Sequence, residues 1–528
     1  MRIAIAAAVA LAVLAGDASA KTLVFCSEGN PESLNPQIVT TTTGLNVGRL
    51  FFNTLVAFPP GSTEPVPSLA ESWTVSDDGL EYVVHLRRGV QFHSNDSFTP
   101  SREMNAEDVL FSFERQWKED HPYHHVGGTN YGYFKDMGMP DVLQSIDKLD
   151  DYTVRFRLNR PEAPFIADLA MPFNSVQSAE YAAQLIQAGT PEKIDEEPIG
   201  TGPFEFVSFQ PDIAVRFRAF DRYWEGRQPI DTLVFSITPN TAVRLNKLKS
   251  GECHVIAFPA PGDRAAIEAD PNLKFLEQEG FNIGYLAMNT TRPPFDDVRV
   301  RRAVNMAIDK AAIIEAVYQD AGVVAKNPIP PTLWSYNDDI EPYPYDPAAA
   351  QKLMIEAGLA EGFDTDLWYI PVSRPYNPNG KRVAELIQYD LAKIGIRATL
   401  KSHEWAAYRA ILQNGEMSMA LYGWTGDNGD PDNFLDVLLG CTSARIGGNN
   451  IARWCNRDYD RLVTQAKRIA DPAERTKLYR DAQAIFHDDA PWVPIAHSVV
   501  FMATRGNVTG FKMDPLGRHA FEGVDIAE

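Results

Sequence analysis

The sequence predicts an α/β protein built of two or three lobes, and three observations carry that expectation. The chain has 528 residues at 45% hydrophobic content, which is enough for more than one hydrophobic core. Runs of period-two alternation recur through the first half, as in TVRFRLN (153–159). The second half contains an amphipathic helix pattern, a glycine and then a strand pattern over 382–401, the unit of an α/β fold.

The N-terminus, MRIAIAAAVALAVLAGDASA (1–20), reads as a secretory signal peptide. It has a basic start at Arg2, an apolar run from Ile3 to Ala15, and Ala18-Ser19-Ala20 before the expected cut. The run is too short to span a bilayer. No cysteine follows the cut to carry a lipid, and no later stretch resembles a spanning helix. The expected mature protein begins at Lys21 and is soluble outside the cytoplasm.

Next, SWTVSDDGLEYVVHLRRGVQF (72–92) alternates on both sides of Asp77-Asp78-Gly79 and predicts a β-hairpin. Asn105 with Asp108 predicts the start of a short helix over VLFSFERQW. VRFRAF (215–220) and LVFSITP (233–239) predict two more strands. DVRVRRAVNMAIDKAAIIEAVYQ (297–319) aligns Val300, Ala303, Val304, Ala307, Ile308 and Ala311 on one helical face. RVAELIQYDLAKIG (382–395) does the same with Val383, Leu386, Ile387, Leu391 and Ile394. Gly395 ends it and IRATLK (396–401) follows as a strand.

A formal net charge of −21 and a pI near 5.0 argue against nucleic acid or an anionic membrane as a partner. Signals of covalent chemistry are missing: there is no GxSxG elbow, no HExxH and no Walker loop. His403-Glu404 begins like a zinc-protease helix, but Ala407 stands where the second histidine is needed. His124-His125 reads as a solvated loop, and His487, Asp488 and Asp489 as surface residues at a helix end. No metal and no cofactor are implied.

The stretch GWTGDNGDPDN (423–433) concentrates Asp427, Asp430 and Asp432 on a loop without a basic residue. It fails as a calcium loop, because Gly429, Phe434, Leu438 and Cys441 fall where oxygen ligands are required. Paired carboxylates for glycoside hydrolysis remain open on spacing, but the nine tryptophans are scattered and offer no sugar platform.

Four cysteines in an exported chain suggest disulfides, with three connectivities possible. Cys441 and Cys455 close a short loop and are the easier pair, which leaves Cys26 with Cys253. Zinc is the rival reading, but no CxxC pair exists.

SLAESWTVSDDGLEYVVHLRRGVQFH (68–93), the following NAEDVLFSFER, IGTGPF (199–204), FDRYWEG (220–226) and DDVRVRRAVNMAIDK (296–310) together resemble the peptide- and nickel-type extracellular solute-binding proteins, family 5, of ABC transporters. KTLVFCSEGNPESLNPQ (21–37), RPEAPFIADLAM (160–171), SRPYNPNG (373–380), GWTGDNGDPDNF (423–434) and DPLGRH (514–519) are most similar to its dipeptide-binding members. The resemblance implies a periplasmic-binding-protein-like fold: two ligand-enclosing α/β lobes joined by a hinge, plus an inserted domain. Domain I would comprise 21–53, 202–280 and 498–528, domain II 54–201, and domain III 281–497. It implies the pairs Cys26–Cys253 and Cys441–Cys455.

It further implies that the chain is no enzyme but a carrier that captures dipeptides and delivers them to an inner-membrane ABC permease. A chemoreceptor is a further candidate partner, and a monomer is expected. Asp427 would receive the ligand ammonium and Arg374 its carboxylate, which a planar guanidinium suits. Trp424 and Tyr376 would line the pocket, with Thr40 and Thr42 contributing from the first lobe. Asp430 and Asp432 receive no such role and read as turn and structural acids. Gly423 marks a departure in the pocket wall. The alternatives are the same fold holding longer peptides, haem or a metal chelate, and, in another class, a secreted hydrolase.

Overall fold

One long strand, Trp492–Arg505, ties two sheet halves together. The computed structural model describes residues 20–128 and 131–527; the expected leader, apart from Ala20, lies outside the described residues. The first part of this strand pairs antiparallel with Asn282–Met288 and Gly322–Val324. Its second part pairs with Val255–Ala257 and Leu273–Glu279. Leu273–Glu279 continues through Gly280 and Phe281 into Asn282–Met288, so the chain crosses between the halves twice, side by side. The crossings are stitched by Asn282, whose amide donates to Ser498 O at 3.0 Å and accepts from Ser498 N–H at 3.1 Å. A Cβ on Gly280 would lie 2.0 Å from that amide and 2.1 Å from Ser498 O, so only glycine fits there.

On one side of the crossing, Thr22–Ser27 runs parallel to Thr232–Ile237 and to Val255–Ala257. Ala214–Ala219 and Phe204–Gln210 extend the sheet antiparallel. Strand alternation points Leu23 and Phe25 into a core with Phe217, Phe235 and Phe521, and Cys26 into another with Leu245 and Leu248. Such a strand is buried on both faces, so it is apolar at nearly every position. A disulfide joins Cys26 to Cys253 across 227 residues, and a second joins Cys441 to Cys455.

On the other side the order is Ile396–Lys401, Phe363–Trp368, Met419–Thr425, Asn282–Met288, with parallel pairing at the outer end. The expected helix-glycine-strand unit is here. The helix spans Gly380–Ala392, Gly395 takes a φ of +83°, and the strand is Ile396–Lys401. A separate four-stranded antiparallel sheet contains the expected hairpin, Ala70–Val75 with Glu81–Leu86, followed by Thr153–Leu158 and Leu143–Asp150. The helix Ala106–Trp117 begins as expected: Asn105 Oδ1 accepts from Glu107 N–H at 2.9 Å and Asp108 Oδ2 accepts from Asn105 N–H at 2.9 Å.

Two expectations are corrected. The helix expected over 297–319 stops at Ala307, restarts as Lys310–Ile313 and ends in a π-helical turn over Ile314–Tyr318. Asp309 causes the break: its carboxylate accepts from Ala312 N–H at 3.0 Å as a new cap, while its own N–H donates to Asp390 at 2.9 Å. The break rotates Ala311 out to solvent. His124 is not solvated either; it is buried with Nδ1 2.9 Å from Arg115 O, while His125 is exposed. Of the helix-end trio, Asp489 does structural work, accepting from Trp454 Nε1 and Asn456 Nδ2 at 3.0 Å each. Among the described residues no helix is long and apolar enough to cross a membrane.

Candidate functional site

Arg374 stands on a tight turn that proline makes stiff. Arg374 and Asn377 exchange backbone hydrogen bonds at 3.0 Å each, and Pro375 lies between them. The turn is pinned from two sides: Ser498 Oγ, at the crossing, donates to Pro375 O at 2.7 Å, and Tyr318 Oη donates to Tyr376 O at 2.7 Å. Beneath it, Gly284 and Gly423 are register partners on adjacent strands. A Cβ on Gly284 would lie 2.1 Å from Tyr376 O, and one on Gly423 2.2 Å from Tyr376 Cδ2. The two glycines therefore form the seat on which Tyr376 lies, which is the structural use of Gly423.

Asp427 follows the Met419–Thr425 strand. Asn433 organises it: its side-chain oxygen accepts from Asp427 N–H at 2.9 Å and from Trp424 Nε1 at 3.0 Å. Its Nδ2 donates to Tyr133 Oη at 3.0 Å, and that hydroxyl donates to Asp427 Oδ2. A small cavity of about 20 Å³ is lined by Thr40, Thr42, Arg374, Tyr376, Trp405, Gly423, Trp424 and Asp427, among others. All six residues expected at a ligand site thus meet at one cleft.

The two charged groups are balanced differently. Arg374, 3% exposed, donates through Nη1 to Glu28, while its Nη2 is buried without a partner and its guanidinium lies 4.5 Å from the Trp405 ring centre. Burial alone would raise the Glu28 carboxyl, but Arg374, His519 and the Thr43 hydroxyl outweigh it and hold it below its ordinary value. Asp427 has no ion pair within 4.0 Å among the described residues. Burial pushes it up to about 6 against the pull of Arg49, the Tyr133 hydroxyl and Arg518. The cleft thus offers an orphaned guanidinium donor at one end and an under-compensated carboxylate at the other.

Thr40 Oγ1 accepts from Arg409 Nη2. Thr42 opens the helix Thr42–Phe51, capped by Thr41. Asp430 and Asp432 are buried structural acids. Asp430 is held by Arg475 Nη2 at 2.6 Å, and Asp432 lies 3.7 Å from Lys467 Nζ, which also meets Glu162 at 3.1 Å and Asp436 at 2.9 Å. Sequence reasoning missed Glu28, Tyr133, Trp405 and Asn433. Only Asn433 carried a local signal, since it sits in the same acidic loop. Among the described residues no three His, Cys, Asp or Glu side chains gather to hold a metal.

The profile of the bacterial extracellular solute-binding proteins, family 5 Middle, matches residues 64–445. The chain is 50% identical over 514 residues to the dipeptide-binding protein of Escherichia coli (strain K12), covering 97% of this chain and 96% of that one. It is 49% identical to heme-binding protein A of Haemophilus influenzae, covering 97% and 93%. The crystal structure of a dipeptide binding protein from Pseudoalteromonas sp. SM9913 in complex with Met-Leu superposes with a TM-score of 0.93 at 38% identity, covering 96% of this chain and 100% of that one. The chain belongs to the bacterial extracellular solute-binding proteins, family 5.

Proposed function

We propose that this protein captures dipeptides by their two charged ends and hands them to an inner-membrane ABC permease. One observation carries the reading: Asp427 and Arg374, of opposite charge, line a single cleft together with the aromatic rings of Trp424 and Tyr376. A free dipeptide is a zwitterion whose side chains vary, so its constant handles are the ammonium, the carboxylate and one amide. In this reading Asp427 takes the ammonium and Nη2 of Arg374 takes the carboxylate; Glu28 holds the other arm of the fork in place. The dipeptide-binding relatives support the ligand class, and the leader supports a periplasmic location for the mature chain. The protein then acts by binding and release, with no covalent step.

Domain I (21–53, 202–280, 498–528) and domain III (281–497) would close on the ligand about the two crossings at 280–282 and 498, with domain II (54–201) inserted. Closure removes water and strengthens both ion pairs. The heme-binding relative supports a second reading, a haem ligand. Calorimetry on unfolded, ligand-stripped and refolded protein separates the two. One-to-one binding of Ala-Ala, with Ala-Ala-Ala much weaker, is expected. Binding of haemin with no response to Ala-Ala would replace the dipeptide by haem.

A further inference from the structure

A second arginine, on the helix whose Trp405 ring carries Arg374, has no acid to pair it. Arg409 stands one turn beyond Trp405 on the helix Trp405–Asn414 and is 6% exposed. Its Nη2 donates to the neutral Thr40 hydroxyl, and its guanidinium lies over Tyr422, 5.4 Å from the ring centre. Among the described residues it enters no salt bridge. A buried cation hydrogen-bonded to a neutral hydroxyl and in no ion pair is costly, because its lost hydration is not replaced by a directly bonded anion.

Arg409 lines a cavity of about 190 Å³ together with Thr40, Glu32, Ile38 and Gln413. Thr40 lines the ligand cleft as well, so the two spaces meet at that residue. Two ring contacts place Arg409 near Arg374: the Arg374 guanidinium lies 4.5 Å from the Trp405 ring centre, one turn back on the helix that carries Arg409, and Tyr422, beneath Arg409, lines the ligand cleft with Arg374. Glu32 lines the same cavity, but it is exposed and its carboxylate accepts from the Thr41 hydroxyl at 2.6 Å, so water screens its charge.

We propose that Arg409 is a specificity-determining residue that receives a second carboxylate, the acidic side chain of the ligand's C-terminal residue, in the cavity that meets the Arg374 cleft at Thr40. This rests on the dipeptide reading above. A C-terminal Glu or Asp carries two carboxylates at one end, and two neighbouring guanidinium groups, Arg374 and Arg409, match them. The match also relieves the repulsion between the arginines. An uncharged Gln has the same shape and offers neither gain.

The test is calorimetry with Ala-Ala, Ala-Glu, Ala-Gln, Glu-Ala and Gln-Ala on the stripped wild-type protein. Ala-Glu should bind at least about tenfold tighter than Ala-Gln, the effect of one added charge-assisted pair, and Glu-Ala should have no such advantage over Gln-Ala. In Arg409→Gln the ratio of Ala-Glu to Ala-Gln should fall to about one, and Arg409→Lys should restore part of it. Equal wild-type affinities for Ala-Glu and Ala-Gln, with Ala-Ala still bound, overturn the inference and leave the dipeptide reading standing. No binding of any of the five overturns both. The wild-type comparison needs no variant, so a misfolded mutant cannot obscure it.

Discussion

Asp427 is the residue on which pH acts most directly. Burial raises its carboxyl from 3.8 to about 6, so the buried carboxyl takes up its proton at a higher pH than a solvated one. The conformation that buries Asp427 is therefore favoured most below about 3.8, and that advantage is lost as pH rises through about 6. A dipeptide ammonium reverses the preference, because it pairs only with the ionised carboxylate. Protons then compete with ligand, and dipeptide affinity should fall as pH drops below about 6, approaching tenfold per unit. Calorimetry from pH 5 to pH 8 reads this, and Asp427→Asn should flatten the acid limb. At neutral pH, Asp427→Ala and Arg374→Ala should each weaken dipeptide binding by roughly 2–5 kcal/mol, because one ligand charge is left buried and unpaired. Unchanged affinity in either variant would remove that residue from the site.

Among elements, the paired glycines beneath the Arg374 turn are the most sensitive point. Gly284 and Gly423 let two strand backbones touch Tyr376, and the turn above them aims Arg374. In Gly423→Ala the new Cβ would meet the Tyr376 ring at 2.2 Å and Ile283 O at 2.6 Å, so the turn must lift. Overpacking of this kind costs about 1–3 kcal/mol, and the displaced guanidinium should weaken dipeptide binding at least about tenfold. A variant that binds Ala-Ala as wild type does would mean that the seat does not set Arg374.

The hairpin in 72–92, the strands at 153–159, 215–220, 233–239 and 396–401, and the helix from 382 to 395 were legible because alternation and the 3.6 period are local. The break at Asp309 was not, because the Asp390 carboxylate that anchors it lies 81 positions further along the chain. The partners that complete the site were hidden for the same reason. Glu28 is 346 residues from Arg374, and Tyr133 is 294 from Asp427. No spacing rule joins groups that far apart. The charged residues themselves came from likeness to the family, since a single aspartate on a glycine-rich loop reads equally well as a turn.

At the scale of the whole molecule, the two crossings proposed as the hinge share one hydrogen-bond network with the site. Asn282 links Ser498 to the first crossing, and the Ser498 hydroxyl holds Pro375, the neighbour of Arg374. A rotation about the crossings therefore carries Arg374 with it, and ligand capture and lobe closure are the same event in this account. The central claim is that both ends of a dipeptide are held at once. Four ligands test it in one calorimetric series: Ala-Ala, N-acetyl-Ala-Ala, Ala-Ala-amide and the doubly capped peptide. Each cap removes one charge and leaves the chain otherwise intact. Either single cap should weaken binding by at least about a hundredfold, a loss of about 2.7 kcal/mol. Wild-type-like affinity for either singly capped peptide would contradict the two-ended clamp.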